Sequence, residues 1–423
     1  MSSSVKKSSN KKKSPSFDHW QRAIILVDMN AFFASVEQAD HPEWQARPIG
    51  ITNGLRGTCI ITSSYEARAW GVKTGMRVKE AQQRCPGFIQ VPARPKRYAE
   101  VSTRIMRSLE SITPDLEVFS VDEAFLDVTR CQNLSGHPEQ IAQQVKQVVI
   151  EASNGALCSI GVSGDKTTAK YAAKLNKPNG LTVIPPWQAE AQLKEVPVTE
   201  LCGIAKGIGK FLSDRGVYTC GDMKHLPIGE LAKRFGNPGR RIWYMAQGQD
   251  PEQLTLEVAA PKTIGHSKVM PPNTKDENVI KTYLQHMAEK VAARLRKHHL
   301  EAQRFYIGFR TKEGMIANKY RTRFPTVDGR EIYTLGLELL HRYWDGQGFH
   351  QIQITALDPM PASQQQDLFA EPDQKKKDLF NTIDHINNRY GEFTISPAPL
   401  LNRSDMPNVI APAWKPDGHR QTI

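Results

Sequence analysis

The first regular element indicated by the hydrophobic pattern is a run of five apolar residues at 23–27, which ends in Asp28. An unbroken apolar run of this length predicts a strand that is buried on both faces. Over 98–112, apolar residues recur at helical spacing, and 116–128 predicts two short strands around a tight turn. Helix and strand patterns then alternate, with a helix at 139–152, a strand at 159–164, a helix at 165–176 and a strand at 181–184.

This alternation of strands and helices, with a hairpin in its middle, fits an α+β fold built on a ferredoxin-like βαββαβ sheet. Residues 32–95 are then an insertion after the first strand, with short strands and helices of their own. Beyond Pro185 the chain predicts short helices joined by Gly-rich turns. Residues 262–358 predict a compact α/β unit, and the chain becomes polar and Pro-rich after Pro359.

The composition is that of an ordinary globular protein, with 39% hydrophobic and 24% charged residues among 423. No apolar stretch is long enough to span a membrane, and the Ser- and Lys-rich residues 1–19 predict a disordered basic tail instead of a secretory signal. Six scattered cysteines without CxxC spacing favour a reduced, cytosolic protein without a zinc site. The formal net charge of +12 favours a polyanionic partner, most often nucleic acid, but alone it does not exclude generic basicity.

Three carboxylates are expected to meet at one edge of the predicted sheet. Asp28 ends the first strand, and Asp122 and Glu123 lie side by side in the hairpin turn. Three carboxylates repel each other unless divalent cations neutralise them, and their oxygen donors suit Mg²⁺. Two such ions clamp the attacking and leaving oxygens of a phosphoryl transfer. The alternative is that Asp122 and Glu123 are ordinary turn residues, although their apolar neighbours place them at the mouth of a core.

A second group of residues suits phosphate binding. The sequence Ser63-Ser64-Tyr65-Glu66 has the form of a capping box, which predicts Ser63 as the N-cap and Glu66 at N3. Tyr65 and Arg68 then share one face near a helix N-terminus, where phosphate is attracted, and Thr62 precedes them. The alternative for Arg68 is an exposed charge on a helix.

Lys177 and two phenylalanines complete the candidate residues. Lys177 lies at a helix end on a rigid turn, where a charge that complements the helix dipole is the alternative interpretation. Phe32 is expected to lie mainly in the core. Phe33, about one turn past Asp28, is placed to lie under a nucleotide sugar, where its ring would exclude a ribose 2′-hydroxyl by volume.

At this point four motifs resemble those of the Y-family translesion DNA polymerases, and among these they are most similar to bacterial DNA polymerase IV. The first is Val27–Glu37, and the second joins Ser64-Tyr65-Glu66-Ala67-Arg68 to Gly71-Val72-Lys73. The third is Ser120–Asp127, and the fourth runs from Ala169-Lys170 to Lys177-Pro178-Asn179-Gly180. Their order and spacing agree with the family over about 20–358.

The resemblance implies a right-hand polymerase with several domains. They are a palm at 20–31 and 96–185, fingers at 32–95, a helical thumb at 186–255, a linker at 256–261, a little finger at 262–358 and a C-terminal tail at 359–423. It also implies a monomer in the cytoplasm, associated with the nucleoid, that acts on primed template DNA and dNTPs.

By motif match, the resemblance assigns roles to individual residues. The catalytic residues that hold two Mg²⁺ ions are Asp28, Asp122 and Glu123, with the main-chain carbonyl of Met29 as a further ligand. The triphosphate contacts are Thr62, Tyr65, Arg68 and Lys177. Phe33 matches the steric gate, and Ile60 and Ile61 match the residues that roof the nascent base pair. The sequence departs from the family at Asn30, where an acidic residue is frequent, although Asn can still ligate a metal through its carbonyl oxygen.

Two further segments are candidates for DNA binding. Residues 201–212 resemble the helix–hairpin–helix of the family thumb, in which backbone N–H groups around Gly203 face a DNA phosphate and Ala205 replaces the usual second Gly. Lys319, Arg321 and Arg323 alternate along a predicted strand and therefore share one face. Residues 262–345 carry 16 basic and 9 acidic residues, net +7, which fits backbone contact along a duplex, with a solvated strand face as the alternative.

Other basic residues of the same unit lie on a predicted helix at 279–299. Its apolar residues form a buried stripe, and the basic residues are expected off that stripe. They are Lys281, Lys290, Arg294 and Lys297.

The polar C-terminal segment contains a peptide similar to the clamp-binding motif of bacterial replication proteins. It reads Gln365-Gln366-Asp367-Leu368-Phe369, so Gln365, Leu368 and Phe369 are the expected contacts with the sliding clamp. An exposed Leu-Phe pair in a disordered segment suits a hydrophobic pocket. A weaker copy at 377–380 lacks the Gln and is expected to start a helix through Ile383, Ile386 and Tyr390.

Together with the resemblance, these observations predict a template-directed DNA polymerase of the translesion kind, and the resemblance implies low fidelity. A non-catalytic DNA-binding protein on the same fold is one alternative, but it would be expected to lose metal carboxylates, and all three are present. A two-metal nuclease is another, but it needs no triphosphate-binding residues, and Tyr65, Arg68 and Lys177 are all in place.

Overall fold

The computed structural model describes residues 19–55, 57–258, 260–362 and 374–403. They divide into two compact units, one ending at Val258 and the other following it. None of the helices in these described ranges is long and apolar enough to cross a membrane.

The first unit alternates strands and helices along most of its length. Its strands are β1 (Ile24–Met29), β2 (Ile49–Thr52), β3 (Ile60–Ser63), β4 (Ile89–Pro92), β5 (Leu116–Val118), β6 (Glu123–Asp127), β7 (Cys158–Ser163) and β8 (Leu181–Val183). Its α-helices are α1 (Phe32–Asp40), α2 (Tyr65–Ala69), α3 (Val78–Arg84), α4 (Pro95–Leu109), α5 (Gln132–Ser135), α6 (Pro138–Ala152), α7 (Lys166–Leu175), α8 (Pro186–Leu193), α9 (Lys206–Ser213), α10 (Ile228–Phe235) and α11 (Asn237–Met245).

The central sheet has the strand order β5-β6-β1-β7-β8, so its first four strands have the ferredoxin-like arrangement predicted from the alternation. Strand β1 runs antiparallel to both of its neighbours. Helices α4 and α6 contribute to the core on one face of β1, together with Ile25 and Val27. Helix α7 covers the other face, where Ala169 and Ala173 pack near Ile24. Cover on both faces explains why β1 is an unbroken apolar run.

The insertion between β1 and α4 has a sheet of its own, with the order β3-β2-β4. Strand β4 lies parallel to β2 and was not indicated by the hydrophobic pattern. Beyond β8, helices α8 to α11 pack around a separate apolar core that includes Leu193, Leu212 and Leu231. In the central sheet, the strand order places the turn between β5 and β6 beside the end of β1.

The second unit is a four-stranded antiparallel sheet with two helices on one face. In chain order its elements are β9 (Thr263–Thr274), α12 (Glu277–Lys297), β10 (Leu300–Thr311), β11 (Met315–Thr326), α13 (Gly329–Tyr343), β12 (Phe349–Leu357), β13 (Met360–Pro361) and α14 (Gln374–Tyr390). The strand order is β11-β10-β12-β9, so β11 is an edge strand. Apolar residues of α12 and α13 share one core with those of the strands.

The helix predicted near the C-terminus is present as α14 and is part of the second unit. Its Asp384 accepts a hydrogen bond from Arg296 of α12 at 2.6 Å, and Lys376 pairs with Asp328 at 2.7 Å. Downstream of α14, the Phe393 ring meets the ring of His286 edge-on, with 4.8 Å between their centroids. Through these contacts, α14 and the residues after it cover part of α12 and change the environment of its basic residues.

Two of those basic residues are not where the helical pattern placed them. Lys290 and Arg294 were predicted to lie off the buried stripe, and that prediction is wrong because both are buried. Lys290 is ion-paired with Glu392, and Arg294 donates to the Gly265 carbonyl oxygen at 2.7 Å. A helical wheel shows one buried side, whereas α12 is covered from two directions.

Candidate active site

The three candidate carboxylates lie at the junction of β1 and β6. In the antiparallel ladder, the Cα of Asp28 pairs with that of Glu123. The Met29 amide donates to the Asp122 carbonyl oxygen at 2.9 Å, so the turn before β6 is fixed to the end of β1. The amides of Phe119 and Ser120 donate to the Glu123 carbonyl oxygen and close the turn.

Burial and mutual repulsion make this an unfavourable place for unneutralised negative charge. Burial is the main cause that raises the pKa of Asp28 to about 6; Lys177 opposes this shift, and repulsion from Glu123 and Asp122 adds to it. Burial also raises the pKa of Asp122, although a hydrogen bond of 2.6 Å from the Ser120 hydroxyl opposes the shift. Nearby cations would therefore stabilise the ionised forms of these carboxylates.

Two lysines supply positive charge to these carboxylates. Lys177 Nζ lies 2.5 Å from Asp28 Oδ2, and Lys170 Nζ lies 2.5 Å from Glu123 Oε1. The Lys170 ammonium is also 4.3 Å from the centroid of the Phe119 ring. Sequence reasoning gave no role to Lys170. Its position on α7, the helix that packs against β1 and β7, was the available signal.

The carboxylates fit divalent metal ions by their chemistry. Within the described ranges, no three or more His, Cys, Asp or Glu side chains are grouped as a metal site requires, and lysines already pair with two of the three carboxylates. The donor set nevertheless consists of carboxylate oxygens, which hard cations prefer. Burial is the main cause of the raised pKa of Asp28, and repulsion from Glu123 and Asp122 adds to it, so a bound cation would favour the ionised carboxylate. The residues that would hold the ions are Asp28, Asp122 and Glu123.

The predicted triphosphate contacts of the inserted segment lie together. Arg68 donates from Nε to the Ser63 carbonyl oxygen at 3.0 Å and from a terminal nitrogen to Thr62 Oγ1 at 3.4 Å. Its guanidinium carbon lies 4.8 Å from the centroid of the Tyr65 ring. Thr62, Tyr65 and Arg68 therefore form one cluster at the start of α2, and Lys177 lies at the carboxylates.

The predicted N-cap of α2 is wrong by one residue. Ser64 is the N-cap, and its hydroxyl accepts from the Ala67 amide at 3.4 Å. The Ser63 hydroxyl instead donates to the Val72 carbonyl oxygen, and Glu66 lies at N2, where it accepts from Gln38. Ser63 ends strand β3, which accounts for the shift because its backbone already belongs to a strand.

The predicted steric gate rests on an aromatic residue that sequence reasoning did not single out. The rings of Phe33 and Tyr98 are stacked, with centroids 4.3 Å apart and planes at 14°. The Tyr98 hydroxyl donates to Glu37 at 2.7 Å, and Glu37 also accepts from Arg94. Phe32 is buried, as predicted. The spacing of Glu37, four residues beyond Phe33 on α1, was the only local signal for this support.

The two isoleucines predicted to roof the base pair differ in exposure. Ile60 is only 1% exposed and belongs to the core of the inserted segment with Val72 and Val78. Its side chain is therefore a core residue here, contrary to the predicted role as a roof. Ile61 is half-buried and packs against the core of the central sheet, so it retains a surface that can face a ligand.

The hairpin before α9 contains Gly203 and Ala205, two of the predicted DNA contacts. Gly203 has a φ of +91°, a conformation that favours glycine. Ala205 has a φ of −84° and is the N-cap of α9, so an alanine fits there without strain. Leu201 and Ile204 are buried, whereas Gly203 and Ala205 are exposed. The element before the hairpin is a single 3₁₀ turn.

In the second unit, strand β11 carries its basic residues on one exposed face. Lys319 and Arg321 lie opposite Tyr306 and Arg304 of β10, and the exposed Arg323 follows where the pairing becomes irregular. Arg304 and Arg310 of β10 are also exposed and share that face, but sequence reasoning missed them. Their alternation along 304–310 was the available signal. The predicted clamp contacts Gln365, Leu368 and Phe369 lie outside the described residues.

Known protein families match both units of the chain. The impB/mucB/samB family matches residues 27–174, and the C-terminal domain of that family matches residues 261–368. A "DNA polymerase IV" of Moorella thermoacetica is 35% identical over 388 residues, which are 90% of this chain and 96% of that protein. A "DNA polymerase IV" of Shewanella woodyi is 40% identical over 236 residues, which are 55% of this chain and 64% of that protein.

A solved structure has the same architecture. A "Y-family DNA polymerase chimera Dbh-Dpo4(243-245)-Dbh" aligns with a TM-score of 0.69 and 28% identity. The alignment covers 79% of this chain and 98% of the chimera. The predicted right-hand α+β fold is therefore confirmed, as is the family suggested by the four motifs. The chain belongs to the Y family of DNA polymerases.

Proposed function

We infer that the chain is a template-directed DNA polymerase that performs translesion synthesis with low fidelity. It joins a dNTP to a primer 3′-hydroxyl on template DNA, and pyrophosphate leaves. The observation that carries this inference is the pairing of Asp28 with Glu123 across β1 and β6, with Asp122 in the adjoining turn. Family membership supports the inference because matched relatives are named DNA polymerase IV.

The metal ions are proposed to be two Mg²⁺, held by Asp28, Asp122 and Glu123 with the Met29 carbonyl oxygen. When bound, the ions stabilise the charge on the phosphoryl oxygens and lower the barrier to attack by the primer hydroxyl. The carboxylates set the position of the α-phosphate relative to the primer. Phosphoryl transfer leaves the protein mainly positioning and electrostatic work, and the buried end of β1 is suited to both.

The triphosphate is proposed to lie between two groups of side chains. Arg68, Tyr65 and Thr62 are clustered at the start of α2, and Lys177 lies over Asp28. An arginine fork and a lysine together neutralise the β- and γ-phosphates. Phe33 lies under the sugar, where its ring excludes a ribose 2′-hydroxyl, and Ile61 is the remaining candidate for a contact with the base pair.

The proposed domains are the palm at 20–31 and 96–185, the fingers at 32–95, the thumb at 186–255, the linker at 256–261, the little finger at 262–358 and the C-terminal tail at 359–423, whose helix α14 belongs to the second compact unit. The division into compact units after Val258 supports the linker, and the separate sheet of the insertion supports the fingers. DNA is proposed to contact the hairpin at Gly203 and Ala205 and the face formed by Lys319, Arg321 and Arg323. The protein is proposed to act as a monomer in the cytoplasm, associated with the nucleoid.

Primer extension tests the polymerase activity directly. Wild-type protein should extend a primed template with Mg²⁺ and dNTPs, and the Asp122→Asn/Glu123→Gln protein should not. Glu110→Gln is the matched control, because Glu110 is an exposed carboxylate of the same unit and should leave extension unchanged. Primer shortening would indicate a nuclease. No extension by the wild type, with DNA binding intact, would indicate a non-catalytic DNA-binding protein.

The segment at 365–369 is proposed to bind the sliding clamp of the replicase. Its similarity to the clamp-binding peptide supports this, and its Leu-Phe pair would fill a hydrophobic pocket. Deleting 364–369 should abolish stimulation of synthesis by the clamp and leave unstimulated synthesis unchanged, since the segment overlaps only the end of the C-terminal family match at 261–368 and the three carboxylates lie in the match at 27–174. Equal stimulation before and after the deletion would exclude the proposal.

A further inference from the structure

The side chain of Asn30, next to the proposed metal ligand Met29, is engaged in hydrogen bonds through both of its polar atoms. The residue is 2% exposed. Nδ2 donates to the Ser159 hydroxyl at 2.9 Å, and Oδ1 accepts from the Asn179 amide at 2.7 Å. The same Ser159 hydroxyl accepts from the Gly180 amide at 3.4 Å. Asn30 and Ser159 together therefore hold two consecutive amides of the turn at 177–180.

That turn carries Lys177 and is fixed at several points. Asn179 has a left-handed backbone, with a φ of +58°, and its carbonyl oxygen accepts from Lys146 Nζ at 2.5 Å. A Cβ at Gly180 would lie 2.0 Å from the Asn176 carbonyl oxygen, so only glycine fits this close approach. Lys177 Nζ reaches back to Asp28 Oδ2 at 2.5 Å. The amides held by Asn30 and Ser159 are thus two and three residues from the lysine that faces the active site.

We propose that Asn30 is a positioning residue that sets the place of Lys177, and that it is not a metal ligand. An amide suits this role because it offers a donor for Ser159 and an acceptor for Asn179 at the same time. Its side-chain carbonyl oxygen, the side-chain atom that could ligate a cation, accepts from the Asn179 amide and lies 3.4 Å from the Ser159 hydroxyl. The proposal rests on the proposed function, in which Lys177 contacts the dNTP triphosphate.

The expected consequence is a specific loss of dNTP affinity. Asn30→Ala removes the acceptor of the Asn179 amide and the amide donor to the Ser159 hydroxyl, which accepts from the Gly180 amide, so the turn no longer holds Lys177 in place beside Asp28. In single-nucleotide insertion on a primed template, KM for the dNTP should rise about tenfold while kcat changes less than about threefold, as loss of a hydrogen bond next to a charged contact allows. Ser159→Ala should shift KM in the same direction.

Two further variants separate positioning from folding. In Asn30→Asp the carboxylate can accept from the Asn179 amide and from the Ser159 hydroxyl, so KM should return to within about threefold of the wild type. Ser163→Ala is the matched control. Ser163 lies on β7 with Ser159, both are fully buried, and the Ser163 hydroxyl has no hydrogen-bond partner. Its loss should leave KM unchanged.

Titration of activity with Mg²⁺ at saturating dNTP distinguishes a positioning residue from a metal ligand. A positioning role predicts the same midpoint for wild type, Asn30→Ala and Ser159→Ala. A midpoint raised several-fold in Asn30→Ala alone, with KM unchanged, would make Asn30 a metal ligand and overturn the proposal, as would unchanged KM in both alanine variants. If Asn30→Ala does not fold, Ser159→Ala carries the test. Wild-type insertion itself reports on the proposed function, so failure of the two is distinguishable.

Discussion

The end of strand β1 and the exposed face of strand β11 are both charged surfaces, but they are built in opposite ways. At β1 each carboxylate is buried or half-buried and has a named partner, as in Lys177 with Asp28 and Lys170 with Glu123. On β11 the basic side chains are exposed and spread along an edge strand. The first arrangement fixes atoms for chemistry, whereas the second presents charge to an extended polyanion without fixing a single geometry.

This difference predicts that the two regions fail in different ways. Loss of a charge at β1 should remove the reaction and spare DNA affinity. Loss of a charge on β11 should weaken DNA binding by a salt-dependent amount and spare the reaction once DNA is saturating.

The largest effect is expected for Asp28→Asn. The variant keeps the volume of the side chain but removes the charge that Lys177 and the proposed metals share. We expect kcat/KM for dNTP insertion to fall by about a thousandfold or more, since electrostatic stabilisation is the main contribution of such a site. Affinity for primed DNA, measured by anisotropy, should stay within about twofold of the wild type. A parallel loss of DNA affinity would show that catalysis at β1 and DNA binding at β11 are not separate.

A smaller but more selective effect is expected at the stacked pair of Phe33 and Tyr98. Phe33→Ala should improve ribonucleotide use relative to dNTPs by about a hundredfold or more, because it removes volume and no metal ligand. Tyr98→Leu should give part of that change, since it removes the ring that stacks under Phe33 at 4.3 Å. Tyr98→Phe keeps the ring and is the control. Unchanged rNTP and dNTP preference in Phe33→Ala would exclude the steric gate.

The same contrast explains what the sequence alone could and could not predict. Asp28, Asp122 and Glu123 followed from strand patterns, because a hairpin turn in this topology returns to the end of the first strand. Tyr98 and Lys170 were missed because they act through partners distant in sequence. The capping-box pattern predicts Ser63 as the N-cap because it does not show that β3 extends through this residue.

The strand face should show the third effect, which depends on salt. Replacing Lys319, Arg321 and Arg323 together by Gln should weaken DNA binding by about tenfold at low salt and reduce the slope of log affinity against log salt by about three. kcat at saturating DNA should not change. Arg304 and Arg310 of β10 share the face, so the remaining slope should not reach zero. An unchanged slope would mean that this face does not contact phosphates.

The smallest effect is expected at Lys290, which the sequence pattern grouped with the exposed basic residues. Its side chain is 5% exposed, and its Glu392 partner is 50% exposed. Burial is the main cause that lowers the pKa of Lys290, and the ion pair with Glu392 only partly opposes it. Lys290→Met removes the buried charge, keeps most of the volume and leaves Glu392 in contact with water. The free energy of unfolding should therefore change by no more than about 1 kcal/mol, and the salt dependence of DNA binding should not change.

The control is Lys319→Met, which should lower the slope of log affinity against log salt by about one. If Lys290→Met lowered the slope as much, the buried side of α12 would have to open when DNA binds, and the distinction between fixed and exposed charge would not hold within this unit.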